Sequence, residues 1–249
     1  MKTIQLAGNR NKSDFTIYLS HILTKLGKNV LIVDATKQSI YRYGYTHLTK
    51  SQHLYDFQQI DILCDAKNWL DVEKLLRAEG DSTTQYDLII VDMDHKGAIE
   101  QEWPEFDERY YVGDDERLNQ NRDVELLNYL FDITKSNEIK RVIFKSSNKF
   151  HESQFDSLMN HRPVWRSMNY TIEPDEFAIG LAIQMQHEQH IPLNRISKQY
   201  KKQLEEIISE LYKIHVNEVK NAIKPSFFRF GKTKMNETNE NELNVASNS

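Results

Sequence analysis

The sequence contains a single cysteine, Cys64, among its 249 residues. One cysteine cannot form a disulfide within its own chain, and no group of cysteine and histidine residues has the spacing of metal ligands. A disulfide-stabilised fold and a structural zinc site are therefore excluded, and a reducing, cytoplasmic setting is expected. The apolar residues around Cys64, which are Ile60, Ile62 and Leu63, predict a buried structural thiol.

Long apolar runs are also lacking. Residues 1–7 carry one charge but too short an apolar run for a secretory signal peptide, and no apolar segment reaches the roughly 18 residues of a membrane-spanning helix. We therefore expect neither secretion by that route nor a membrane span. The formal net charge of -5 argues against a surface built to bind nucleic acid, although a local basic patch could still contact a phosphate backbone. DNA binding is not indicated by composition and is not excluded by it.

What the sequence does contain is an alternation of buried runs and helical patterns. Apolar runs typical of parallel strands occur at residues 4–7, 29–34, 86–92, 109–112 and 141–145, and helical patterns lie between them at 13–26, 69–79 and 119–135. This alternation predicts an α/β fold with an open, mostly parallel β-sheet flanked by helices. Apolar residues at helical spacing over 196–223 predict one long C-terminal helix.

The chain is expected to form one domain over residues 1–224, because no interdomain linker or internal repeat interrupts it. Residues 225–249 are a separate C-terminal segment, which is first aromatic and basic and then rich in Asn, Glu, Thr and Ser. The second part carries too little apolar surface to offset the entropy of ordering, so a disordered tail is predicted from residue 235 onward.

A candidate phosphate loop follows the first strand. It consists of Gly8, Asn9, Arg10, Asn11, Lys12 and Ser13. Loop amides and a helix N-terminus favour phosphate, Lys12 could reach the β- and γ-phosphates, and Ser13 could bind Mg²⁺. The other interpretation is an ordinary helix start at which Ser13 acts as a cap.

Further motifs follow at distances that resemble the MinD/ParA family of P-loop ATPases. Residues 7–13 occupy the place of that family's Lys-Gly-Gly-x-Gly-Lys-Thr loop, Asp34 ends a strand like the family's switch aspartate, and Asp92 ends a strand like its Walker B motif. The segment 170–176, with Pro174, is similar to the family's late loop near the adenine. The resemblance implies ATP or ADP as ligand, Mg²⁺ held through Ser13 and Asp92, a catalytic role for Asp34, and a homodimer. Strand-end aspartates that cap nearby amides are the alternative for Asp34 and Asp92.

Departures from the family's loop are as informative as the matches. Ala7 stands where the family has its signature lysine, Asn9 and Asn11 replace glycines, and Thr36 replaces an acidic residue after the switch aspartate. Loss of a transition-state cation of the arginine-finger kind slows phosphoryl transfer by about 10³- to 10⁵-fold. We therefore expect reduced or lost hydrolysis in a pseudo-ATPase that acts as a switch or scaffold and recruits a protein partner. By family analogy that partner would be a secretion, pilus or conjugation machine of the cell envelope. A slow but active Mg-ATPase, including a role in DNA partition, is the alternative.

The C-terminal segment interleaves aromatic and basic side chains, with phenylalanines at Phe227, Phe228 and Phe230. Three interpretations stay open at this point. The phenylalanines could fold back onto the domain, anchor in a groove of a protein partner, or insert at the inner face of the cell membrane while the bases meet anionic lipid.

Overall fold

The computed structural model describes residues 1–46, 52–147, 153–166 and 169–224. Its strands are β1 Lys2–Ala7, β2 Val30–Ala35, β3 Leu54–Asp56, β4 Asp61–Leu63, β5 Leu88–Met93, β6 Glu108–Asp114, β7 Glu138–Phe144, β8 Val164–Trp165 and β9 Tyr170–Ile172. Its helices are α1 Ser13–Lys25, α2 Ile40–Tyr45, α3 Trp69–Ala78, α4 Lys96–Ile99, α5 Arg117–Thr134, α6 Ser153–Leu158, α7 Ala178–Glu188, α8 Lys198–Tyr212 and α9 Val216–Ile223.

The described strands form one sheet in the order β3-β4-β2-β5-β1-β6-β7-β8, and β9 also pairs with β7. All of these pairs are parallel except β3 with β4. The central strands β2 and β5 are buried along their whole length, as expected for a parallel sheet covered on both faces. The predicted α/β class with an open, mostly parallel sheet is confirmed.

Two hydrophobic cores cover the two faces of the sheet. On one face, apolar residues of α1, α7, α8 and α9 pack against the strands, and on the other face the helices are α3, α4, α5 and α6. Cys64 lies in the first core with no exposed surface, and burial raises the pKa of its thiol to about 12. The prediction that the Cys64 thiol is buried is confirmed.

The single long helix predicted over 196–223 is wrong, because the chain forms two helices there. Helix α8 ends at Tyr212, and Lys213 adopts the left-handed conformation with φ of 54°. His215 then caps α9: its Nδ1 accepts a hydrogen bond from Asn217 N, and its own N donates to Glu218. Both helices bury apolar residues in the same core, so the apolar pattern continued through the break.

The antiparallel hairpin of β3 and β4 was not predicted either. Its turn places Gln58 and Gln59 at φ of 53° and 68°, where glycine or asparagine is the usual sequence signal. The predicted disordered tail and the three phenylalanines of the C-terminal segment lie outside the described residues. Within the described ranges, no helix is long and apolar enough to cross a bilayer.

Candidate functional site

The carboxyl ends of β1, β2 and β5 bring the predicted site residues together. These strands are neighbours, and their register pairs Asp34 with Asp92 and Ala7 with Met93. The loop of residues 8–12 leaves β1 at the same edge and leads into α1, which begins at Ser13. Pro174 is exposed in the segment between β9 and α7.

Lys12 is almost completely enclosed at this edge. Its Nζ lies 2.9 Å from Oδ1 of Asp92, and the side chains of both residues are only 1% exposed. The same ammonium donates to the carbonyl oxygen of Gly8. Burial raises the pKa of Asp92, and the Lys12 ammonium opposes that rise. The cation that could hold a phosphate is therefore neutralised by the aspartate of the neighbouring strand.

Two tyrosines of α2 contact the candidate magnesium ligands. The hydroxyl of Tyr41 donates to Oδ2 of Asp92 at 2.7 Å, and the hydroxyl of Tyr45 lies 3.1 Å from Oγ of Ser13. Tyr41 is fully buried and Tyr45 is 1% exposed. Helix α2 therefore brings a tyrosine hydroxyl into contact with each of the two residues predicted to bind Mg²⁺, Asp92 and Ser13.

Asp34 fixes the start of α2. Its Oδ1 accepts from the Thr36 hydroxyl at 2.6 Å and from Thr36 N at 3.2 Å, and its Oδ2 accepts from Tyr41 N at 2.9 Å. Burial raises the pKa of Asp34 to about 6, although the Thr36 hydrogen bonds act in the opposite direction. The capping interpretation of Asp34 thus describes its observed contacts. Open space remains beside it, in a cavity of about 500 Å³ that is lined in part by Asp34, Thr36, Asp65 and His95.

The two asparagines that replace family glycines hold the loop closed. Oδ1 of Asn11 accepts hydrogen bonds from the backbone N and the hydroxyl of Ser13, at 3.0 and 2.8 Å. The backbone N and side-chain amide of Asn9 both donate to Oδ1 of Asp123, at 2.7 and 2.9 Å. Neither asparagine has a positive φ, so the loop does not use the conformations that glycine makes accessible there. The carboxylate of Asp123 therefore already accepts a hydrogen bond from the backbone amide of Asn9 in the loop.

Asp123 was missed by the sequence analysis. It lies in α5 with no exposed surface, and its Oδ2 accepts a hydrogen bond from the hydroxyl of Tyr111 at 2.9 Å. Burial raises the pKa of Asp123 to about 6 against the lowering effect of its hydrogen bonds to Asn9. Its helical spacing could have indicated that Asp123 is buried, because it lies on the same face of α5 as the buried residues Leu126, Leu127 and Leu130.

Arg10 and Asp14 make a second pair at the loop. The Arg10 guanidinium lies 3.3 Å from the centre of the Phe144 ring and 3.2 Å from Oδ1 of Asp14. Asp14 therefore places a carboxylate in the first turn of α1, where a phosphate would otherwise be favoured. The positive charge that Arg10 brings to the loop is therefore paired with Asp14.

Ala7 and Gly8 fix the start of the loop against the sheet. Ala7 is fully buried, so the position of the family's signature lysine carries a methyl group inside the core. Gly8 has φ of 146°, and a Cβ there would lie 2.2 Å from the carbonyl oxygen of Val112. The loop backbone approaches β6 so closely that only glycine fits.

Comparison with solved structures shows which fold carries this site. MinD from Aquifex aeolicus matches with a TM-score of 0.59 at 12% identity, over 86% of this chain and 98% of that chain. A putative plasmid partition protein from Borrelia burgdorferi B31, bound to AMPPNP, gives 0.54 at 17% identity over 85% and 98%. A variant of McdA from Cyanothece in complex with ATP gives 0.55 at 14% identity over 86% and 97%. This chain has the MinD/ParA-type P-loop fold. No protein-family model and no curated protein matches it.

The MinD/ParA-type fold confirms the resemblance drawn from the sequence, and at these identities the likeness establishes the fold alone. It also permits a test of whether this chain's residues fit a magnesium nucleotide. They do not fit in the described arrangement, because Ser13 and Asp92 contact tyrosine hydroxyls, Lys12 is paired with Asp92, and the Asn9 amide is bonded to Asp123. The roles predicted for the individual site residues stay predictions.

Proposed function

We propose that this chain is a pseudo-ATPase with the MinD/ParA-type fold that acts as a dimeric switch or scaffold and positions a partner complex. The observation that carries the proposal is the closed site. Three side chains expected to handle a magnesium nucleotide, which are Lys12, Ser13 and Asp92, each contact other groups of the protein. A nucleotide would have to displace α2 and break the Lys12–Asp92 pair before it could bind.

Two further features support loss of hydrolysis. Ala7 cannot supply the cation that the resemblance expects at its position, which corresponds to a rate loss of about 10³- to 10⁵-fold. Asp34, the candidate for orienting water, uses its carboxylate oxygens to hold Thr36 and the first turn of α2. The chain therefore keeps the fold while its catalytic groups serve the structure.

The comparison structures suggest what such a scaffold would do. One of them is a complex of MinD with MinC from Aquifex aeolicus, which matches this chain with a TM-score of 0.58 at 11% identity over 84% of this chain and 96% of that chain. By analogy we propose a protein partner and a homodimer for this chain, in the cytoplasm. The machine that it would position is proposed only as one of the cell envelope.

Calorimetric titration with ATP and with ADP, each with Mg²⁺, tests the closed site. We expect no heat of binding for the full chain at millimolar nucleotide. Binding that disappears in Lys12→Ala and persists in Lys37→Ala, an exposed lysine near the same edge, would overturn the proposal. Circular dichroism of each variant establishes that it is folded before titration.

A slow Mg-ATPase remains the second candidate, because Lys12, Ser13, Asp34 and Asp92 converge on one edge of the sheet. In that case α2 would have to withdraw on binding. Steady phosphate release that is lost in Lys12→Ala would favour it. A role in DNA partition would in addition require DNA affinity that falls steeply with added salt, whereas absence of binding at low salt would exclude that role.

A further inference from the structure

Helix α7 presents apolar side chains to solvent next to the phosphate loop. Phe177, Ile179 and Ile183 are 73%, 76% and 51% exposed, whereas Leu181 and Met185 on the other side of the helix are buried. Ile179 and Ile183 are four residues apart and therefore lie on the same face of the helix. A groove of about 290 Å³ lies between α7 and the start of α1, and its lining includes Arg10, Asp14, Ile179 and Ile183.

The charge around this groove is mixed, with acidic residues in excess. Arg10, which lines the groove, is paired with Asp14 at 3.2 Å, and Arg195 donates a hydrogen bond to Gln184 of α7. Between residues 170 and 194 the chain has no lysine or arginine, and it carries four acidic residues, which are Glu173, Asp175, Glu176 and Glu188. Three of them directly precede the exposed apolar side chains, and Glu173 and Glu176 are themselves exposed. The surface formed by α7 and its preceding loop therefore favours an occupant that is apolar and basic.

The C-terminal segment has that chemistry. Residues 225–234 lie outside the described residues, directly after the end of α9, and contain Phe227, Phe228 and Phe230 together with Arg229, Lys232 and Lys234 and no acidic residue. The segment thus offers apolar side chains and positive charge, while the α7 surface offers an apolar groove and negative charge. The two are complementary in both respects.

The segment is also long enough to reach the groove. Helix α9 packs against α1 and α8, and the groove is formed at the first turn of the same α1. The 13 residues of α1 span about 20 Å, and the six residues from Lys224 to Phe230 extend to at most about 20 Å. The extended length of the segment therefore matches the length of α1.

We propose that residues 225–234 dock in the α7 groove of their own chain, with the phenylalanines on the apolar side chains of α7 and the bases at its acidic rim. This proposal does not depend on whether the loop binds a nucleotide.

Hydrogen exchange on the full-length protein tests the docking. In the variant with Phe227→Ser, Phe228→Ser and Phe230→Ser, we expect exchange at the amides of α7 to accelerate by about five-fold or more, because the buried phenyl groups supply most of the contact energy. Exchange in α3, on the opposite face of the sheet, serves as the internal control and is expected to stay unchanged. Equal exchange of α7 in both proteins would overturn the proposal.

Charge reversal makes the test specific for this groove. Lys232→Glu with Lys234→Glu is expected to accelerate exchange in α7, and adding Glu173→Lys with Glu176→Lys is expected to restore protection. Absence of that restoration would contradict docking at the acidic rim. Protection that appears only as protein concentration rises would instead assign the groove to a second copy of the chain, and protection of the tail only on anionic vesicles would assign the tail to a membrane. Each of these two results would overturn docking within one chain.

Discussion

The pair between Lys12 and Asp92 is the contact whose loss should cost this fold most. Both side chains are 1% exposed and lie 2.9 Å apart, so removal of one leaves the other charged, buried and without its partner. Breaking such a pair costs about 3 to 5 kcal/mol in measured cases. We expect Lys12→Met, which keeps the side-chain volume, to lower the free energy of unfolding by about that amount.

The loss should depend on pH in a defined direction. Burial already raises the pKa of Asp92 above its unfolded value, and removal of the Lys12 ammonium raises it further. An acid whose folded pKa is raised contributes stability that is fully present below its unfolded pKa and is lost as pH rises through its folded pKa. The deficit of Lys12→Met should therefore be smallest in acid and should grow toward neutral pH. Adding Asp92→Asn to Lys12→Met should recover most of the loss.

Urea unfolding followed by circular dichroism measures these differences, and the chain supplies a matched control. Lys28 forms an ion pair with Asp87 at 3.4 Å, and both of those side chains are more than a third exposed. Lys28→Met is expected to cost at most about 1 kcal/mol, as exposed pairs do. If Lys12→Met cost no more than Lys28→Met, the Lys12 side chain would be free rather than enclosed, and the reasoning for a closed site would fail.

Other contacts of the site give further expectations for urea unfolding. Asp123→Asn is expected to flatten the pH dependence of stability between about pH 4 and 6, because the raised pKa of Asp123, about 6, makes its contribution fall as pH rises through that window; an unchanged profile would contradict its burial. Gly8→Ala is expected to lower the free energy of unfolding by more than about 2 kcal/mol, because the added Cβ would lie 2.2 Å from the carbonyl oxygen of Val112. Gly27→Ala is expected to lower it by about 1 kcal/mol, because its Cβ would meet open space and only the positive φ opposes it. Tyr41→Phe is expected to lower the free energy of unfolding by about 1.5 to 3 kcal/mol, because it removes a buried hydrogen bond to a charged group. Tyr43→Phe changes an exposed tyrosine of the same helix and is expected to leave that free energy almost unchanged. Equal costs within either pair would refute the corresponding contact.

The fold was predictable because its signals are local and strong. Strands such as β2 and β5 are continuous apolar runs, and continuous burial in a parallel sheet produces that pattern whatever the partners of the strand. The end of α8 at Lys213 could not be predicted from the sequence, because α8 and α9 both bury apolar residues in one core and the left-handed residue between them is not a glycine. The β3–β4 hairpin was hidden for the same reason, with glutamines at its turn.

The proximity of the predicted site residues followed from the order of the elements, but their contacts did not. Parallel strands bring Asp34 and Asp92 to one edge of the sheet, and the loop after β1 brings Lys12 to Asp92. The closure depends on side chains distant in sequence, namely Tyr41 on Asp92 and Asp123 on Asn9. Such pairings over 51 and 114 residues follow from tertiary packing, which spacing and composition do not encode.

The bond between Asn9 and Asp123 also constrains how this sequence can change over generations. Asn9→Gly alone would move the loop toward a glycine-rich one, but it would remove a donor from a buried carboxylate, at a cost of about 1 to 3 kcal/mol. Replacement of Asp123 alone would leave the half-buried amide donors of Asn9 without this acceptor, at a cost of up to about 1 to 3 kcal/mol. Either single step leads through a less stable intermediate, so a change to a glycine-rich loop requires both substitutions together.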